Sequence, residues 1–255
     1  MTFPKAPRVH GALAVVAFPT AGLSGTIACR YLVQTLEMEP LGYLDGKDFE
    51  PAVCIEHGRA SPCLRAFAAP ASCGPGGRCN QLVVIYTDLS PPVGDLRRLA
   101  SAVLRWAAGS QIDSIVVLEG YPSSREDADT DSTVTPPRVW SMANARGEAL
   151  LQHLKAEPME GMATGFAAAL LVESFPKGFP LATLVVESQR DHPDARAAAV
   201  MVDSLSLLLP QLNLDPRPLL SEAEKLEGAV RRSRSTVTRA RIASRPEEPS
   251  PGMYG

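Results

Sequence analysis

The chain has 255 residues, of which 45% are hydrophobic, enough to bury the core of one large α/β domain or two small ones. Its formal net charge of −3 argues against a nucleic-acid-binding body, which carries a broad basic surface. Met1 to His10 holds charge and prolines but no apolar signal-peptide core, and Leu13 to Phe18 is too short to span a bilayer. With five cysteines suited to a reducing compartment, the expected location is the cytoplasm, with no membrane and no nucleic-acid partner.

After the first 10 residues, an N-terminal extension, apolar runs alternate with helical patterns. Ala12 to Phe18 reads as a buried strand, and Ser24 to Glu37 as a helix with Ile27, Ala28, Tyr31, Leu32 and Leu36 on one face. A weaker strand is expected over Ala52 to Glu56. Ala69 to Asn80, punctuated by glycine and proline, is expected as an exposed excursion. Leu82 to Tyr86 and Ser114 to Leu118 are further buried strands. They bracket a helix from about Asp95 to Ala108, with Leu96, Leu99, Val103, Leu104 and Ala107 facing inward.

Ser123 to Pro137 is polar and acidic, a surface loop over the carboxyl end of the preceding strand, and Arg138 to Ser141 is a second weak strand. Gly161 to Ser174 forms a helix whose Phe166 to Val172 run is too apolar for the surface of a monomer, so either core burial or at least a dimer is expected. Leu181 to Glu187 is a last strand, followed by a helix from Asp194 to Leu209. Strands joined by crossover helices predict a three-layer α/β/α sandwich with a mostly parallel sheet over residues 11–215. Residues 216–244 read as a basic helical arm, with Ser221 as its cap and Arg231, Arg232 and Arg234 following. Residues 245–255 lack a large apolar side chain to anchor them until Met253 and Tyr254, and are expected as a flexible tail.

Three groups of residues could carry chemistry. Phe18 to Gly25 joins the first strand to the first helix, where a helix N-terminus favours an anion, so Thr20, Gly22, Ser24 and Gly25 form a candidate anion or ligand loop. It has no Walker lysine, no full G-x-G-x-x-G and no G-x-S-x-G. The bland alternative is that Ser24 caps the helix while the glycines allow tight packing. Glu187, Asp191, His192 and Asp194 form an acid–base set at a strand end, or else a helix start with its usual acidic caps. Cys54, His57, Cys63, Cys73 and Cys79 include no C-x-x-C pair, so free thiols are expected rather than a zinc site. No metal and no cofactor is expected.

The order of several short motifs resembles the proteasome-assembly-chaperone-2 family. They are Pro19-x-x-Gly22-x-x-Gly25-x-x-Ala28-x-x-Tyr31-Leu32, Leu41 to Asp45, Gly120-Tyr121, Gly161 to Phe166, Leu184 to Ser188 and Pro193 to Ala199. The resemblance implies a purine-nucleoside-phosphorylase-type sandwich with no established catalytic centre, acting as a homo- or hetero-oligomer on the proteasome α-ring. The last residues, Met253-Tyr254-Gly255, resemble the hydrophobic-tyrosine-X tail by which proteasome activators and assembly chaperones insert between 20S α-subunits. The resemblance therefore implies a non-enzymatic α-ring-binding chaperone whose partner-binding residues are Met253, Tyr254 and Gly255. The alternative from the residues alone is a hydrolase or phosphorylase-like enzyme, or a ligand-binding regulator, using the Thr20–Thr26 loop and the Glu187–Asp194 turn.

Overall fold

The computed structural model describes residues 9, 11–44, 52–56, 58–72, 80–123, 136–190 and 192–221. The strands in chain order are β1 Ala12–Ala17, β2 Glu39–Tyr43, β3 Val53–Glu56, β4 Arg59–Pro62, β5 Leu64–Ser72, β6 Gln81–Thr87, β7 Ile112–Pro122, β8 Val139–Ala143, β9 Glu157–Pro158 and β10 Leu181–Ser188. The α-helices are α1 Ser24–Thr35, α2 Leu96–Gly109, α3 Glu148–Leu151, α4 Gly165–Ser174 and α5 Ala195–Leu208.

Eight strands form one sheet in the order β2-β5-β6-β1-β7-β10-β8-β9. The central β6, β1, β7 and β10 are mutually parallel, as βαβ crossovers require. Antiparallel β5 and β2 extend one side, and antiparallel β8 extends the other. All six residues of β1 and all eight of β10 are buried, because helices cover both faces of the sheet. Pleating sorts them: Leu13, Val15 and Ala17 pack with α1 and α5, while Ala12, Ala14 and Val16 pack with α2 and α4. The three-layer α/β/α architecture follows directly.

In α2, Leu99, Ala100, Val103, Leu104 and Ala107 make a single buried stripe, as their spacing predicts. On α4, Phe166, Ala167, Ala169 and Leu170 are buried, yet Val172 is 47% exposed and the following Phe175 61%. Core burial therefore accounts for part of that apolar helix only. No helix among the described residues is long and apolar enough to cross a membrane.

Four expectations are corrected. Residues 69–72, expected in an exposed excursion, belong to β5, and Ala69 is buried. Pro70 falls where the β5–β6 register shifts between Ala68 and Ser72, so the ladder does not need its missing N–H. Cys73 and Cys79 lie outside the described residues. The strand expected at Ala52–Glu56 forms, but as half of a separate β3–β4 hairpin rather than in the main sheet. The C-terminal arm becomes helical before Ser221, over residues 217–221, and Asp215 Oδ1 accepts from the Arg217 N–H at 3.0 Å. Lastly, Leu219 is buried in the same cluster as α1 and α5, so the core continues past the expected boundary at 215. Residues 222–255, with the tail, lie outside the described residues, as do 124–135 of the acidic loop.

Candidate functional site

The Thr20–Gly25 loop sits where the carboxyl ends of β1, β7 and β10 meet. Thr20 Oγ1 accepts the Gly120 N–H at 2.8 Å, tying the loop to β7. Gly22 is left-handed at φ 64°, and an added Cβ would lie 2.7 Å from the Asp194 Cβ. Glycine is thus required on two counts. The Gly22 carbonyl accepts the Asp194 N–H at 2.7 Å. Ser24 Oγ lies 2.9 Å from Ser188 Oγ and 3.3 Å from the Ala21 carbonyl, and Ser24 is fully buried. Gly25 lets α1 approach the Leu118 carbonyl of β7, which a Cβ would meet at 2.7 Å.

Ser24 therefore does not cap α1. It is the first residue of the helix, the position before it is Leu23 in a left-handed conformation, and its hydroxyl points sideways to β10. The hydroxyls of Thr20 and Ser24 are engaged by the protein itself. The loop as seated is a packed joint between strands.

The acid–base set is likewise dispersed. Asp194 is the N-cap of α5: its Oδ1 accepts from the Ala197 N–H and its Oδ2 from the Gln189 N–H, both at 2.9 Å. Glu187 takes the Ser123 hydroxyl on Oε1 at 2.8 Å and the Arg138 N–H on Oε2 at 3.3 Å, which joins the two flanks of the acidic loop. His192 is exposed, and Asp191 lies outside the described residues. Each of these carboxylates serves a different local purpose.

Glu119 is the residue that motif reading passed over. It faces a cavity of ≈ 10 Å³, room for about one water, with Phe18, Thr20, Val117 and Phe166 among its other lining residues. The rings of Phe18 and Phe166 stack above β7 with centroids 3.6 Å apart. Enclosure by these apolar groups pushes the Glu119 carboxyl up to about 7. The sequence signal was an acid placed directly after the apolar run Ile115 to Leu118.

Glu119 gives a pH-dependent contribution to stability with a defined sign. Its folded value of about 7 lies above its ordinary 4.5, so the folded state holds the extra proton between them. Its contribution is therefore complete below pH 4.5 and is lost as pH rises to about 7. The difference is on the order of 3 kcal/mol at the usual 1.36 kcal/mol per unit. Glu119→Gln, neutral at every pH, should flatten this slope in urea unfolding measured on either side of the window. An unchanged slope would mean the carboxyl is solvated.

Among the described residues no cluster of three metal-ligating side chains occurs. Cys29 is buried, with its thiol pushed up by desolvation, and Cys54 and Cys63 are neighbouring free thiols, Cys54 also touching Asp88. His57 lies outside the described residues.

Comparison with known proteins places this architecture. Residues 14–233 match the model of the PAC2 family. An uncharacterised protein of Methanocaldococcus jannaschii is 24% identical over 240 residues, covering 93% of this chain and 91% of its own. Pyrococcus furiosus PbaA, described as an archaeal homolog of proteasome-assembly chaperone, is 27% identical and superposes with a TM-score of 0.75 over 93% of each chain. Pyrococcus furiosus PbaB, described as an archaeal proteasome activator, superposes with a TM-score of 0.75 at 19% identity, over 91% of this chain and 97% of its own. This last likeness is one of fold.

Proposed function

We propose, from the fact that the chain belongs to the PAC2 family, that it is a non-enzymatic proteasome-assembly chaperone or α-ring-binding factor of the cytoplasm. The observation that carries this reading is the end-to-end likeness to PbaA in both sequence and fold. A binding role is also supported by the strand carboxyl ends. There the groups that would serve catalysis (Thr20, Ser24, Glu187 and Asp194) are engaged separately, Ser24 by the Ser188 hydroxyl, Glu187 by the Ser123 hydroxyl, and Thr20 and Asp194 by backbone N–H groups.

The docking element in this proposal is Met253-Tyr254-Gly255 in a chain ending at Gly255. Met253 fills an apolar pocket between two 20S α-subunits, the Tyr254 ring adds apolar area with a polar tip, and the Gly255 carboxylate pairs with a cation. Residues 245–255, if extended, reach on the order of 30 Å, enough to enter such a pocket while the folded body rests on the ring. The body acts as a homo-oligomer or pairs with a paralogue, and the exposed Val172 and Phe175 are the apolar surface that motivates this. Several tails then engage one ring together.

The test is retention of the purified chain on immobilised 20S particles. Retention by the full chain and its loss on deleting Met253–Gly255 are expected. Equal retention of both would reject tail docking, and retention of neither would reject the proteasome as partner. Light scattering at micromolar concentration should give at least a dimer; a monomeric mass would remove the multivalent part of the proposal.

A further inference from the structure

The β3–β4 hairpin stands apart from the main sheet, and two strands alone are marginal in water. Its attachment to the body is polar and sulfur-rich. Cys54 Sγ, in β3, lies 3.2 Å from Cys63 Sγ, the residue just after β4, and 3.4 Å from Asp88 Oδ2 just after β6. Asp88 in turn holds Arg30 of α1 at 2.6 Å and Arg65 of β5 at 3.0 Å. Val53 and Ile55, on either side of Cys54, are 60% and 70% exposed, so Cys54 is the inward-facing side chain of its strand. Both thiols are partly accessible, unlike Cys29, which is sealed in the core.

We propose that Cys54 and Cys63 form a reversible disulfide, closed by a hydroperoxide and reopened by a small thiol, that locks the β3–β4 hairpin in place. The sulfurs need close only from 3.2 Å to the bonded distance of about 2.05 Å. Burial and the neighbouring Cys63 and Asp88 push the Cys54 thiol up, and Asp88 Oδ2 at 3.4 Å opposes negative charge on its sulfur, so Cys63 makes the first attack. The Cys63 thiolate takes the terminal oxygen of the hydroperoxide. The O–O bond breaks, the alcohol leaves with a proton, and Cys63 becomes a sulfenic acid. Cys54 sulfur then displaces the sulfenic oxygen, its own proton leaving with that oxygen as water. Two thiols have lost two electrons and two protons, and the hydroperoxide has gained them as alcohol and water. Two equivalents of a small thiol reverse the sum.

The experiment uses the full chain with excess hydrogen peroxide, followed by alkylation and peptide mass spectrometry, with amide exchange read over residues 53–62. The expected result is a Cys54–Cys63 linked peptide lighter by two hydrogens. It should be reversed by dithiothreitol and absent in Cys54→Ser and Cys63→Ser. Amide exchange in the hairpin should slow about tenfold on oxidation, as local opening is suppressed. Three results would overturn the proposal: both thiols remaining alkylatable, Cys63 advancing to a sulfinic acid, or either sulfur pairing with Cys73 or Cys79. A linked peptide with unchanged exchange would overturn the locking role.

Discussion

Replacing Gly120 by alanine should lower the stability of the fold by about 3 kcal/mol, and replacing it by valine should leave the chain largely unfolded. Gly120 lies where the Thr20–Gly25 loop crosses β7. A Cβ there would overlap the Ala21 carbonyl and sit 2.6 Å from Ser24 Oγ and 3.0 Å from Ser188 Oγ. The first of these neighbours is backbone, held by the left-handed pair Gly22 and Leu23 and by the Asp194 N–H on the Gly22 carbonyl. It cannot rotate aside as a long side chain would. Moving the loop would also cost the Thr20 hydrogen bond to the Gly120 N–H and the contact between the Ser24 and Ser188 hydroxyls. Gly94 is the control, since an added Cβ there meets nothing within 4 Å, and alanine should change stability by no more than about 0.5 kcal/mol. Urea unfolding decides the matter. Equal midpoints for the Gly120→Ala and parent proteins would show that the loop is not a packed joint.

The second large effect concerns binding. Tyr254→Ala should weaken retention on 20S particles by at least about 30-fold, because a desolvated tyrosine anchor contributes 2 kcal/mol or more. Immobilising the tail subtracts from its gain, which sets the single-tail affinity in the micromolar range. An oligomer presenting several tails to one ring binds more tightly, so its loss per substitution is larger than the monomer's. One residue added after Gly255 should weaken binding to a similar extent, since it carries the carboxylate away from its cation. Neither change should alter the urea midpoint or the oligomeric mass. Unweakened binding by both would leave Met253-Tyr254-Gly255 without a role.

Those two effects come from parts of the chain that differ in how much their sequence says. β1, β6, β7 and β10 were legible because strands covered on both faces must be apolar throughout, and α2 because its stripe repeats at the helical spacing. β5 was not legible, since its alanines and Pro70 look like loop, and its strand state is imposed by pairing with β2 and β6. The role of Ser24 was misread for a similar reason. Its position before an apolar helix fits a cap, but its partner, Ser188, is 164 residues away and enters only through the sheet order. Asp194 as a cap, by contrast, was visible locally, because its acceptor role is played out within three residues on Ala197. Glu119 illustrates the remaining gap: the acid is plain in the sequence, but its enclosure comes from Phe18 and Phe166 on other elements.

The central claim, that this chain acts on the proteasome through its last three residues, is tested most directly by imaging the full chain bound to 20S particles by electron cryomicroscopy. The proposal predicts Tyr254 seated between adjacent α-subunits, with the Gly255 carboxylate beside a cationic side chain and the folded body resting on the ring. A complex in which those pockets are empty and the chain is held by its body alone would contradict it, as would particles that carry no bound chain at saturating concentration.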